Sequence, residues 1–153
     1  MLNNIKTLQK DRGFTIVELL IVIVVIGILA AITIVAYGNI TTRANTNAAK
    51  ANATNVAKVA EAYNADETNT SYPATHTALN SYNGLTRVPS GVTVVNTALT
   101  NTAANGKTIM YMPRTGNTGG CVAYWDSTLT TPAAVYIFVG NATGGNPATP
   151  TCT

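Results

Sequence analysis

Charge is scarce in this sequence. Of its 153 residues only 10% are Asp, Glu, Lys or Arg, well under the roughly 25% usual for soluble domains. Nine basic residues against six acidic ones leave a net charge of +3. That excess is too small to mark a nucleic-acid binder on its own. Histidine occurs once and cysteine twice, which leaves little from which to build a metal centre or a Cys/His active site. No nucleophile–base pair, no close carboxylate pair beyond Glu67 and no Gly-rich phosphate loop is present, so an ordinary cytosolic enzyme is not the expected class. The length allows one globular domain rather than two. Mean hydropathy is nevertheless positive, at +0.18, although the middle and end of the chain are crowded with Thr, Asn, Ala and Gly. One segment must therefore carry most of the hydrophobicity.

That segment is Phe14 to Ala36, FTIVELLIVIVVIGILAAITIVA, 23 residues with Glu18 as the only ionisable side chain. A helix needs roughly 20 apolar residues to cross a bilayer. Lys6, Lys10 and Arg12 precede it, set against Asp11, and this basic flank predicts a cytoplasmic N-terminus with the rest of the chain outside. A cleaved secretory signal fits poorly, because the stretch is too long and no A-x-A site closes it. A plain single-pass anchor leaves Glu18 unexplained. A charged group costs about 2.5–3.5 kcal/mol at mid-bilayer and less near the edge, so Glu18 is a functional candidate.

The run RGFTIVELLIVIVVIGILAAI resembles the N-terminal signature of type IV pilins and pseudopilins. In that family a short basic leader ends in Gly, Phe follows, and Glu is the fifth residue of the mature chain; here these are Gly13, Phe14 and Glu18. Thr15, Gly27 and Ile28 to Ile32 match as well, and the signature covers the first quarter of the chain. Many members have Pro near the end of the membrane segment, where this chain has Val35, so the residue that removes a helix hydrogen bond there is missing and a bend at that point is left open. The resemblance implies a leader peptide at 1–13, a transmembrane and polymerisation helix at 14–38 and a periplasmic or extracellular head at 39–153. It implies cleavage by a prepilin peptidase between Gly13 and Phe14, and N-methylation of Phe14. It also gives Glu18 a role in assembly: its carboxylate neutralises the N-terminal ammonium of a neighbouring subunit, since each charge alone is costly in hydrocarbon. The implied partners are other copies of the subunit, the peptidase and the membrane-embedded assembly machinery, with no cofactor, no metal and no specific nucleic acid. The implied location is the inner membrane as a single-pass precursor, then an extracellular filament.

Beyond the membrane segment, residues 39–66 hold neither Pro nor Gly and are rich in Ala, the best helix former. Ala49, Ala53, Val56, Ala60 and Tyr63 fall on one helical face, with Asn47, Lys50, Asn55 and Lys58 opposite. The helix is thus expected to continue from Phe14 to Asp66, about 80 Å at 1.5 Å per residue, with its second half amphipathic; Val35 and Gly38 are the places where it could bend. A Thr/Asn/Ser-rich connection follows, with Thr77 to Tyr82 as one helical turn and His76 as an exposed loop residue. Val92 to Val95, Thr108 to Met112, Cys121 to Trp125 and Val135 to Val139 read as strands. Asn105-Gly106, Gly116 to Gly120 and Thr130 to Pro132 separate them as turns. The expected fold is α+β: the long helix packed on one face of an antiparallel sheet of about four strands, whose other face is partly solvated. Tyr111, Tyr124, Trp125, Tyr136 and Phe138 alternate within strands and read as core plus ordinary strand surface. The tail after Val139 reads as coil. Outside the cytoplasm Cys121 and Cys152 are expected to pair, an arrangement similar to that of many type IV pilins, which closes a loop worth about 3–4 kcal/mol. The Asn-x-Ser/Thr triplets at Asn39, Asn52, Asn69 and Asn141 carry no assignment in a chain so rich in Asn and Thr.

Three functions follow from the resemblance. The first is a structural subunit of a surface filament serving adhesion, twitching motility or DNA uptake, with no enzymatic activity. The second is a pseudopilin of a type II secretion system. Major pseudopilins bind calcium through a carboxylate-rich C-terminal loop, whereas here Asp126 is the only acid beyond Glu67, a poor donor set for Ca²⁺. The third is a DNA-binding competence pilin, for which Arg87, Lys107 and Arg114 are the only basic residues in the outer half, too few for phosphate neutralisation along one face.

Overall fold

The computed structural model describes residues 13–146 and 151–153. Gly13 is thus the only position of the expected leader that is described. The basic flank of Lys6, Lys10 and Arg12 lies outside the described residues, as does the part of the expected coil at 147–150.

Helix α1 runs unbroken from Ile16 to Ala65, 50 residues. Helical hydrogen bonding continues through Val35 and Gly38, the two positions where the sequence leaves a bend open. By its internal contacts the chain divides into two units at Gly38/Asn39. In the first unit, α1 is apolar all round: its best 18-residue window has a mean hydropathy of 3.3, with none of it buried. Ile16 and Ile34 are 84% and 74% exposed. An apolar surface of this extent needs another apolar medium to cover it. The hydroxyl of Thr33 is satisfied within the helix by donating to the Ala30 carbonyl at 2.9 Å, so it adds no unpaired polar group to the run.

In the second unit, α1 turns the small side chains of Ala49, Ala53, Val56, Ala57, Val59 and Ala60 into a core. Short side chains let the sheet approach closely, and the strands supply the bulk. Four strands, β1 (Thr93–Val95), β2 (Thr108–Pro113), β3 (Gly119–Asp126) and β4 (Ala133–Gly140), pair in the order β1-β2-β3-β4. The α+β class holds, and the expected strands stand within two residues of their predicted bounds. The sheet is mixed, however: β2–β3 and β3–β4 are antiparallel, but β1 runs parallel to β2, with Thr93 opposite Thr108. The segment joining β1 to β2 includes a 3₁₀ turn over Asn101–Asn105. It is long enough for a crossover, which a parallel pair requires and a hairpin does not.

Alternation along the strands builds two cores. Ile109, Tyr111, Val122, Tyr124 and Val139 face α1 and the short helix α2 (His76–Ser81). Met110, Met112, Cys121 and Ala123 face the other way, under Leu99, Ala103, Ala142 and Cys152. The 3₁₀ segment and the tail cover part of the second face, and the rest, with Phe138 44% exposed, is partly solvated as expected. The tail is not all coil: β5 (Gly145–Asn146) pairs antiparallel with β6 (Thr151–Cys152). His76, expected as an exposed loop residue, is half-buried at the start of α2. There the Thr75 hydroxyl caps the helix by accepting the Ala78 N–H at 3.1 Å.

Two glycines combine a positive φ with a close approach. Gly106 has φ +74°, and a Cβ there would stand 2.8 Å from the Asn45 carbonyl oxygen. The Asn52 carboxamide donates to the Gly106 carbonyl at 2.7 Å, tying this turn to α1. Gly140 has φ +60°, and a Cβ there would stand 2.6 Å from the Thr118 carbonyl oxygen.

Candidate functional site

Gly13, Phe14 and Thr15 form a non-helical lead into α1. Thr15 supplies its N-cap and Glu18 is the third helical residue. The Thr15 N–H and the Thr15 hydroxyl both donate to Glu18 Oε2 at 2.8 Å, and the Glu18 N–H donates back to Thr15 Oγ1 at 3.2 Å. This is a reciprocal capping box, written in the sequence as Thr15-x-x-Glu18. It satisfies donors that the first turn of a helix otherwise leaves orphaned in an apolar medium. It also holds a carboxylate at the positive end of the helix dipole. Reading Glu18 for charge alone misses this second role.

Geometrically, the box fixes the carboxylate beside the backbone that follows Phe14, itself 82% exposed. Both recorded bonds fall on Oε2. An ionised carboxylate has about four lone-pair sites, so the box leaves acceptor capacity on Oε1. The arrangement accepts hydrogen bonds and offers a negative charge. Among the described residues no group of three or more His, Cys, Asp or Glu side chains could hold a metal ion.

The other two singled-out residues lie in the second unit. Cys121 on β3 and Cys152 on β6 are joined by a disulfide with Cα atoms 5.7 Å apart. The bridge pins the tail over the second core. The aromatics divide between core and strand surface: Tyr111 and Tyr124 are buried, Trp125 and Tyr136 half-buried and Phe138 44% exposed.

A residue with no sequence signal organises this unit. Glu61 of α1 accepts the Tyr72 hydroxyl on Oε2 and the Gly140 N–H on Oε1 at 3.2 Å. It joins the helix, the loop after it and the end of β4. Burial, with the Glu61 carboxylate beside it, pushes the Tyr72 phenol up to about 12. Burial likewise raises Tyr111, whose hydroxyl donates to the Pro73 carbonyl at 2.8 Å. These partners lie 11 and 79 residues from Glu61, so only the folded chain shows them.

Residues 8–34 match the family model of the prokaryotic N-terminal methylation motif. Neither the curated proteins nor the solved structures offer a match to the chain. The matched stretch spans Gly13, Phe14, the capping box and most of the exposed apolar helix. It is the class III signal of type IV pilins and prepilins, and marks the chain as pilin-like or pseudopilin-like in its N-terminal part. Such a signal implies processing by a prepilin peptidase and assembly into pilus-type polymers, and the apolar helix that carries it fits a membrane-anchored precursor.

Proposed function

We propose that the chain is a structural subunit of a type IV pilus. A prepilin peptidase removes residues 1–13, and the new Phe14 amine is methylated. The observation that carries this reading is the methylation motif opening a helix whose first unit is apolar and unburied. Residues 14–38 hold the precursor in the membrane and later fill the filament core. Residues 39–153 form the displayed head.

The capping box supports a specific mechanism. Thr15 holds the Glu18 carboxylate at the end of its own helix. Its remaining lone pairs take the Phe14 ammonium of the next subunit, so capping and inter-subunit pairing coexist on one side chain. Pairing recovers much of the cost of placing either charge in an apolar bundle, and it sets the register of one helix against the next. The pilus reading is favoured over a secretion pseudopilin by the C-terminal half. Asp126 is the only acid beyond Glu67, and its Oδ1 closes its own turn by accepting the Thr128 N–H and hydroxyl at 2.8 and 2.6 Å.

Mass spectrometry of filaments sheared from the cell surface tests the proposal. The expected result is this chain as a filament component that starts at N-methylated Phe14. Filaments containing a chain that starts at Met1, or a mature chain confined to the membrane of filament-bearing cells, would refute it.

A further inference from the structure

The charges of residues 39–67 are sorted by sign. Arg43, Lys50 and Lys58 lie in a stretch, 39–60, without an acidic residue; Glu61, Asp66 and Glu67 follow, and no basic residue occurs from 61 to 86. At 100° per residue the three basic positions fall within about 80° of helix circumference, a stripe along one flank of α1. All three are exposed beside the buried face of Thr46, Ala49 and Ala53. Among the described residues, no recorded ion pair engages them.

The acidic end is only partly satisfied within one subunit. Helix α1 ends at Ala65 with no basic residue in its last turn, and carboxylates at the negative pole of a helix are disfavoured. Glu61 is taken up by Tyr72 and Gly140. Asp66 accepts from Thr68 on Oδ1 and from the Tyr82 hydroxyl on Oδ2 at 3.1 Å. Glu67 is exposed, and no recorded contact engages it among the described residues. Of the three acids, Glu67 alone is left to find its partner outside the subunit.

We propose that the acidic end of a second copy of this chain docks on the basic stripe, with Glu67 of one subunit meeting Lys50 and Lys58 of another. This rests on the reading of the chain as a filament subunit. Helices delivered through one membrane in one orientation are parallel. Parallel copies in register set like charge against like, and only an axial shift sets the stripe against the acidic end. The helix rise from Lys58 or Lys50 to Ala65 bounds that shift at roughly 10–25 Å. A shifted contact uses different patches on the two partners, so it propagates into an open filament instead of closing a dimer.

Charge swaps in the full-length chain test this, with membrane-held subunit measured in the same cells. Glu67→Lys alone, and Lys50→Glu with Lys58→Glu, are each expected to lower surface filament number about tenfold or more, because the like-charge penalty recurs at every subunit. The three changes combined are expected to restore most of the wild-type number. Unchanged counts in the partial swaps, or no recovery in the combination while membrane-held subunit stays at its wild-type level, overturn the inference. Should a swapped chain fail to accumulate, Lys58→Cys with Glu67→Cys decides: a short bis-maleimide, which spans the reach of a Lys–Glu pair where a direct disulfide cannot, is expected to link subunits into ladders on denaturing gels, and an absence of ladders in intact filaments overturns the docking. A wild-type chain that forms no filament defeats the pilus reading itself, a result distinct from either.

Discussion

Replacing Cys121 and Cys152 together by alanine is expected to destabilise the head by about 4 kcal/mol. The two residues are 31 apart in sequence, and closing a loop of that size removes about 4 kcal/mol of chain entropy from the unfolded state. Among the described residues the other ties on the tail are short, and include an isolated parallel bridge from Cys152 to Arg114. Strands β5 and β6 are two residues each. Around them the recorded backbone bonds run from the Thr143 and Gly144 N–H groups to the Thr153 carbonyl at 2.7 and 3.1 Å, and from the Thr153 N–H to the Gly144 carbonyl at 2.8 Å. Detachment of the tail would bare the second core, where Met110 and Met112 now lie under it and the 3₁₀ segment. Four kcal/mol is a large share of the roughly 5–15 kcal/mol of a typical domain. The assay is urea unfolding of residues 39–153, oxidised against the double alanine variant. The expected midpoint shift is about 2–3 M, with a slope near that of a small domain. Limited proteolysis should then cut the variant after Val139 while sparing the bridged chain. A shift below about 0.5 M with the tail still protected would show that the backbone pairing, and not the bridge, holds it.

Three further outcomes are expected. Gly13→Leu should leave residues 1–13 attached and abolish filaments, read by N-terminal sequencing of the membrane-held chain and by filament counts. The head should lose no stability to tyrosine ionisation below pH 10 and should lose stability as pH rises toward 12. Tyr72 titrates near 12 when folded against 10.0 for an ordinary phenol, so the unfolded chain loses its proton first. Tyr72→Phe should lessen that fall without removing the contribution of Tyr111, and cost about 1–2 kcal/mol at neutral pH for the lost bond to Glu61, both read from urea midpoints across pH. Gly140→Ala should cost about 2 kcal/mol or more through the positive φ and the close Thr118 carbonyl, which the same unfolding assay would register.

Much of this fold was legible where the physics is local. An Ala-rich stretch without Pro had to be helical, and β-branched runs between Gly and Asn clusters marked β1 to β4. The direction of β1 was not legible, because parallel pairing depends on the crossover that follows it and not on Thr93–Val95 themselves. Strands β5 and β6 carry no period at all. They pair because the chain is returned to the sheet at Cys152. The cover over the second face comes from Leu99, Ala103 and Ala142, brought together by non-local contacts. At the N-terminus, Glu18 stood out as a carboxylate in an apolar run, and Thr15-x-x-Glu18 spelled a capping box that the charge reading passed over. Glu61 looked like any exposed helix acid, because Tyr72 and Gly140 reach it only in the folded chain.

The account stands most directly on Glu18. Glu18→Ala removes the partner proposed for the neighbouring Phe14 ammonium, and with it one arm of the capping box, in a segment remote in sequence from the head's core. Cleavage, insertion and the level of membrane-held subunit should stay near wild type, since a charge has left the apolar run. The unpaired ammonium should then cost several kcal/mol per subunit in the filament core. Glu18→Asp should do better than Glu18→Ala and less well than wild type, because the shorter side chain reaches less far. The measurement is the number of surface filaments per cell, with membrane-held subunit quantified in the same culture. The account predicts few or no filaments from Glu18→Ala at undiminished subunit level. Wild-type filament numbers from that variant would contradict it, leaving Glu18 as nothing more than a helix cap.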